Sequence, residues 1–191
     1  MPEFETVFDA VASSRAERES LSRLRVATGS IGGPMERHCL RCRQIAAELA
    51  ARRGWIVDGE VLTVAAILHD IGLYPEASRG GVYTADGAAL ARALLPDFGW
   101  GAERIELCAE AIDRHHELRP QLARGAEVEA LRRADLVDVS GGLVRFGLER
   151  AWLQSLRSAV PVTGLAGELA REVGRALRER PLTLPRIFLR G

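Results

Sequence analysis

Hydrophobic positions recur every three or four residues along almost the whole chain, a period typical of helices that bury one face. Glycine, proline and short polar residues fall where such helices begin and end. The pattern therefore predicts an all-α fold, a single-domain helical bundle. We expect helices at about 3–26, 35–53, 59–71, 86–95, 102–117, 126–139, 143–158 and 165–180. Asp58 is the expected cap of the third helix, and Gly54 the expected end of the second.

No linker, repeat or low-complexity tract interrupts this pattern, so we expect one domain over residues 1–191. With 191 residues and 47% apolar positions, the chain can bury about 70% of its unfolded surface. The tail at 181–191 carries two prolines and is expected to be extended. Three cysteines argue against a secreted disulfide framework, and no apolar run reaches the ~18 residues of a membrane span. We therefore expect a cytoplasmic protein without a membrane partner.

The net charge and the types of basic residue exclude several classes of binding partner and enzyme. Basic and acidic residues number 26 each, so no net field favours nucleic acid. All basic residues are arginine, and the absence of lysine excludes P-loop enzymes, protein kinases and Schiff-base chemistry. The expected partner is a small-molecule substrate, while the oligomeric state stays open.

All four histidines lie on or beside apolar helical stripes. They are His38, His69, His115 and His116. Asp70 follows the most apolar helix, and Asp135 falls within a stripe where an unpaired carboxylate would cost several kcal/mol. A single inward histidine is more often a core residue, and Arg132 or Arg133 could pair with Asp135. Four histidines facing inward together are better explained by a common cation.

The order of these residues resembles the HD-domain superfamily of all-α metal-dependent phosphohydrolases. The motifs are His38, His69-Asp70 within AAILHDIGL, the string AIDRHHE, and Asp135 within LRRADLVDVS. The resemblance covers about 35–140 and leaves segments 1–34 and 141–191 outside it. It implies one divalent transition metal (Mn, Fe, Co, Ni or Zn) held by four ligands: His38, His69, Asp70 and Asp135. Imidazole and carboxylate together suit such ions.

The hypothesis of a metal-dependent hydrolase also assigns roles beyond metal binding. Asp70 would position the attacking water, while His115 and His116 would bind substrate or leaving group, one of them as general acid. Family members with two metals carry a further histidine after the His-Asp pair, a region where this chain has Tyr83 or Asp86. We therefore expect one metal, and a second ion near Asp86 and His115 is the open alternative.

The leading function is hydrolysis of a phosphate ester or nucleotide, with Arg41 or Arg79 as candidate anion contacts. The string YTADGAALARALL resembles cyanamide hydratase-like HD proteins, which makes a small nitrile- or amide-like substrate the alternative. An iron oxygenase similar to inositol oxygenase and a non-enzymatic helical regulatory or binding module are further alternatives. Cys39 and Cys42 have no second pair, so we expect them to be packing residues.

Overall fold

The computed structural model describes residues 11–179, which form α-helices, short 3₁₀ turns and connecting loops, with no β-strand in that range. The helices are α1 (Arg15–Thr28), α2 (Pro34–Arg53), α3 (Gly59–Leu68), α4 (Tyr83–Leu94), α5 (Ala102–Asp113), α6 (Ala126–Val139), α7 (Arg150–Ala159) and α8 (Leu165–Glu179). The predicted all-α class is confirmed. None of the helices described combines the length and apolar character that crossing a bilayer requires.

Several helix ends follow directly from the sequence. The Asp58 side chain accepts the backbone N–H groups of Glu60 and Val61, so the predicted cap of α3 is present. Gly54 ends α2 at φ 64°, a left-handed conformation that favours glycine. Ser14 begins α1 with a reciprocal capping box, in which it pairs with Glu17 through backbone and side chain.

Other boundaries differ from the sequence-based ones. Helix α5 ends at Asp113 instead of residue 117, because the His115 ring takes the Ile112 carbonyl as a hydrogen-bond acceptor and Arg114 leaves helical geometry. Helix α4 begins three residues early, and α3 gives way after Leu68 to a 3₁₀ turn. Helix α7 begins at Arg150 instead of residue 143, since three glycines with positive φ turn the chain at 141–147. The predicted structure at 3–10 and 180–191 lies outside the described residues.

Helix α3 is the centre of the bundle. Every residue from 61 to 68 is buried, and α1, α2, α5 and α6 all pack against this helix. Helix α2 also packs along α6, and α4 packs along α5. This arrangement brings α2, α6 and the ends of α3 and α5 to one place in the interior.

Two glycines let α4 approach the turn after α3. A Cβ atom on Gly72 would lie 2.1 Å from the Tyr83 carbonyl oxygen, and one on Gly87 would lie 3.0 Å from the Leu68 carbonyl oxygen. Both contacts are with backbone, which cannot move aside as a flexible side chain can. The close approach sets Tyr83 beside the end of α3.

Candidate metal centre

The structure brings together the histidines and aspartates singled out in the sequence. They are His38 on α2, His69 and Asp70 after α3, His115 and His116 after α5, and Asp135 on α6. His38 and His69 are fully buried, and their Nε2 atoms lie 3.1 Å apart. Only His116 is partly exposed.

Carboxylate oxygens approach the same two imidazole nitrogens. Asp135 Oδ1 lies 3.4 Å from His38 Nε2 and 4.0 Å from His69 Nε2. Asp70 Oδ2 lies 3.6 Å from His38 Nε2 and 3.4 Å from His69 Nε2. Oxygens of two carboxylates from separate helical regions therefore lie within 4.0 Å of both imidazole nitrogens, although Asp70 and Asp135 fall in different groups of possible ligands.

Hydrogen bonds on the far side of each ring fix which nitrogen faces these carboxylates. His69 Nδ1 lies 2.8 Å from the Ala66 carbonyl oxygen, and His115 Nδ1 lies 2.6 Å from that of Ile112. His38 Nδ1 lies 2.8 Å from Asp138 Oδ2. Because these acceptors hold a proton on Nδ1, each Nε2 is left to bind a cation.

Several polar atoms of the cluster are buried without a hydrogen-bond partner. They are Asp70 Oδ1, Asp135 Oδ1 and His115 Nε2. Such atoms are costly in a folded interior unless something satisfies them. Nitrogen and carboxylate oxygen are donors that first-row divalent ions accept, so the residues fit a metal ion. Three overlapping groups of possible ligands occur here among the described residues.

A scan against family models matches the HD domain over residues 35–140, more than half of the chain. The chain belongs to the HD-domain family. The resemblance drawn from the motifs is thereby confirmed over the same residues. HD domains are typically metal-dependent phosphohydrolases, and the buried His/Asp cluster of this one fits a metal site. No curated protein matches the chain closely.

Electrostatics keeps the HD-domain carboxylates ionised. Burial acts to raise the pKa of Asp70, but His69 and His115 outweigh it and hold that pKa well below its usual value. The pKa of Asp135 is lowered in the same way by His116 and His38. Burial acts to lower the pKa of His69, yet the Asp70 charge raises it well above normal. Protons on imidazole therefore compensate these carboxylates when no cation is bound, and a metal would displace them.

His115 and His116 have different surroundings in the HD domain. The His115 ring is buried, with Nε2 3.5 Å from Asp70 Oδ1. His116 Nδ1 lies 3.2 Å from Asp135 Oδ2, and its Nε2 contacts the Tyr83 hydroxyl. Burial, with Asp70 and Asp135 nearby, raises the pKa of Tyr83, so its hydroxyl stays protonated.

Asp86 does not join the ligand groups found among the described residues. Its Oδ2 accepts the Arg79 backbone N–H at 2.8 Å and the Ser78 hydroxyl at 3.3 Å, so the carboxylate fastens the loop before α4. His115 Nε2 and Asp70 Oδ1 remain the polar atoms beside which a further ligand or water would lie.

The arginines considered as partners of Asp135 bond elsewhere. Arg132 donates to both carboxylate oxygens of Glu129, at 2.8 and 2.9 Å, and Arg133 donates to the same carboxylate. Asp135 contacts His38 and His116 instead. The structural ion pair that could have explained a buried Asp135 is therefore absent between these residues.

Of the two arginines considered for anion binding, only Arg41 is placed where it cannot meet a substrate. Arg41 is fully buried and forms a two-pronged ion pair with Asp138. Arg79 is an exposed residue of the loop before α4. Arg41 is therefore wrong as a substrate contact, because its guanidinium is occupied inside the protein.

The cysteines are buried and free, as expected for packing residues. Cys42 Sγ, however, lies 3.7 Å from both ring nitrogens of His38 and belongs to one group of possible ligands. Burial raises the pKa of the Cys42 thiol to about 11, so at neutral pH it carries its proton. A thiolate is the form that binds metals. With no cation bound, Cys42 thus packs against the centre as a neutral thiol, within reach of the same ion as His38, His69 and Asp135.

A cavity of about 240 Å³ opens beside the cluster. Its lining includes His115, His116 and Asp135 of the cluster, together with an apolar rim of the exposed residues Leu118, Leu136 and Val139. A larger recess of about 720 Å³ lies along α1, but its lining includes none of the histidines. The smaller cavity is the one from which a substrate would reach the cluster.

Two residues of the centre were missed in the sequence. Tyr83 was noted only as occupying the place of an absent histidine, whereas its hydroxyl contacts His116. Asp138 was not singled out, although it lies seven residues after Leu131, on the same face of α6. The spacing of seven residues from Leu131 could have indicated that Asp138 faces the interior. Gly141 and Gly142 follow closely, however, so Asp138 resembled a residue at the end of a helix.

Proposed function

We propose that the chain is a hydrolase that holds one divalent transition metal ion with His38, His69, Asp70 and Asp135 and acts on a phosphate ester. The observation that carries the proposal is that two carboxylates approach the Nε2 atoms of His38 and His69, and that each of these carboxylates has a buried oxygen without a hydrogen-bond partner. A bound divalent cation supplies Lewis acidity and makes water a nucleophile near neutral pH.

The protein's own side chains would then place the reactants. Asp70 presents Oδ2 to the histidines and leaves Oδ1 as an acceptor that can orient water. His116 lines the cavity, and Asp135 raises its pKa against the effect of burial. An imidazolium at that position can donate a proton to a leaving oxygen.

The size of the cavity limits the substrate. Pockets for drug-sized ligands commonly exceed 300 Å³, so 240 Å³ suits a phosphoryl group with a small alcohol. The base of a nucleotide would extend to the apolar rim. A small nitrile- or amide-like compound is the second candidate, favoured because Arg132, the arginine of the lining, is already paired with Glu129.

Metal content tests the site. Protein purified without added metal should contain about one transition-metal ion per chain, and Asp135→Ala should lose it while keeping its helical fold. Asp86→Ala is the matched control, a buried carboxylate that accepts hydrogen bonds from the loop before α4 and belongs to none of the ligand groups, and it should keep the ion. Equal metal content in Asp135→Ala and the parent protein would refute the site. Two ions, one of them lost in Asp86→Ala, would refute the single-metal assignment.

Substrate profiling tests the reaction. Small phosphate monoesters, nucleoside monophosphates, nitriles and amides should be assayed in parallel with parent protein and Asp135→Ala. We expect metal-dependent phosphate release that is fastest with the small esters. If only a nitrile or an amide is turned over, the second candidate replaces the phosphate ester. If metal-loaded protein turns over none of these compounds, a regulatory module is favoured.

A further inference from the structure

A buried ion pair lies directly behind the candidate metal centre. Asp138 follows Asp135 by about one turn of α6, its side chain is fully buried, and Oδ2 lies 2.8 Å from His38 Nδ1. Arg41 lies one turn after His38 on α2 and donates two hydrogen bonds to the same carboxylate. Its Nε donates to Oδ1 at 2.8 Å, and its Nη2 donates to Oδ2 at 2.7 Å. Paired N–H donors facing a carboxylate fix its plane as well as its position.

The remaining nitrogen of the Arg41 guanidinium, Nη1, is also hydrogen-bonded. Nη1 donates to the carbonyl oxygens of Pro161 at 3.0 Å and Val160 at 3.4 Å, in the connection between α7 and α8. Arg157 adds a bond from Nη2 to the Asp138 carbonyl oxygen at 3.1 Å. Three of these residues lie beyond residue 140, so a segment outside the family match helps to hold the pair.

We propose that Asp138 and Arg41 are positioning residues, which orient His38 and strengthen its hold on the metal. The inference rests on the proposed metal site at His38. Asp138 keeps the His38 proton on Nδ1 and turns Nε2 toward His69, while Arg41 keeps Asp138 in that position.

Comparison with the other rings supports a specific role. His69 and His115 use neutral backbone carbonyls as acceptors, whereas His38 uses an ionised carboxylate. A charged acceptor makes the opposite nitrogen a more basic ligand, and loss of such a partner commonly weakens metal binding 10- to 100-fold. Arg41 compensates a carboxylate charge that would otherwise be buried alone.

The test is the affinity for Co²⁺, measured on metal-stripped protein by competition with a chromogenic chelator. Asp138→Asn should bind about 10- to 100-fold more weakly than the parent. Arg41→Met should also weaken binding, and Arg41→Lys should recover part of the loss because it keeps the charge without the planar fork. The visible spectrum of bound Co²⁺ should change in Asp138→Asn, since His38 is the altered ligand.

Glu36→Gln is the matched control. Glu36 lies on α2, is buried, and forms a two-pronged pair with Arg25 at 2.8 and 3.1 Å, but it makes none of the contacts of His38 described above. Its loss should lower stability while leaving Co²⁺ affinity within about twofold of the parent. An equal loss of affinity in Glu36→Gln would show that the pair acts only through general stability.

The single Asp138→Asn change leaves Arg41 buried beside a neutral amide, which can unfold the chain. The double variant Arg41→Met with Asp138→Asn removes both charges and keeps the test possible. Folded protein with parental Co²⁺ affinity, alongside Asp135→Ala that has lost the metal, would overturn the inference and leave the proposed function intact. Failure of the parent itself to bind Co²⁺ would instead overturn the proposed function.

Discussion

At the scale of single residues, two adjacent histidines differ in protonation. Burial and the neighbouring His116 lower the pKa of His115, whereas Asp135 raises the pKa of His116 although burial opposes it. Near neutral pH, His115 is therefore neutral, whereas the raised pKa of His116 gives that ring a larger protonated fraction than a free imidazole has. Neighbouring groups whose pKa values are moved in opposite directions are the usual way to assign acid and ligand roles.

We expect His116→Gln to keep its metal but to lose at least about 100-fold in turnover, because a general acid is removed. An acid with a raised pKa is active below that pKa, so the parental rate should fall as pH rises through it. The variant should lack this alkaline limb in its pH-rate profile, with metal content measured on the same samples. His115→Gln is the control and should retain the alkaline limb. Parental turnover in both variants would contradict the assignment.

The sequence predicts which residues meet at the centre better than it predicts their exact contacts. His38, His69 and Asp135 could be found because polar groups on apolar stripes must face the interior. The role of Arg41 could not, since 26 arginines look alike until burial selects one of them. Tyr83 lies beside His116 because α4 packs closely on the turn after α3, and the spacing of residues along the sequence does not predict such a tertiary contact.

At the scale of elements, part of the centre is built where helices end, while His38 and Asp135 lie within α2 and α6. His69 is the residue after α3, and His115 and His116 follow the end of α5. Helical periodicity predicted α6 to the residue but extended α5 too far, because apolar spacing continues into the turn. A hydrogen bond from the His115 ring to the Ile112 carbonyl competes with the helix there.

The approach of α4 to the end of α3 depends on Gly72. We expect Gly72→Ala to lower the free energy of unfolding by about 1 to 3 kcal/mol or more, because its Cβ would meet the Tyr83 carbonyl oxygen. Urea unfolding followed by circular dichroism measures this. Gly59→Ala, with nothing within 4 Å of the added carbon, should change stability by less than about 1 kcal/mol. Equal changes in the free energy of unfolding at both glycines would show that the close approach of α4 contributes nothing to stability.

At the scale of the whole molecule, the net charge is zero, yet the interior contains several carboxylates that are paired with arginines. Glu129 on α6 is fully buried and accepts bonds from Arg132, Arg133 and the Gln121 backbone. Glu36 is bound in a similar way by Arg25. Global stability therefore depends on carboxylates staying ionised, and acid should unfold the chain by protonating them.

Glu129 allows the size of this effect to be measured. Burial acts to raise its pKa, but Arg132, the Gln121 N–H and Arg133 together lower it to about 2 from 4.5. A pKa lowered on folding contributes stability that is complete above the unfolded value and disappears as pH falls toward the folded one. Glu129→Gln should therefore cost up to about 3 kcal/mol at pH 7 and almost nothing near pH 2, by urea unfolding at each pH.

The control for this pH dependence is Glu19→Gln, which removes an exposed carboxylate paired with Arg23 at 2.7 Å. Water and salt screen such a pair, so its loss should change stability by less than about 1 kcal/mol at either pH. Comparing each variant with the parent at the same pH cancels the titration of the remaining carboxylates. If Glu129→Gln costs as much at pH 2 as at pH 7, the residue stabilises the fold by packing, and its charge contributes nothing.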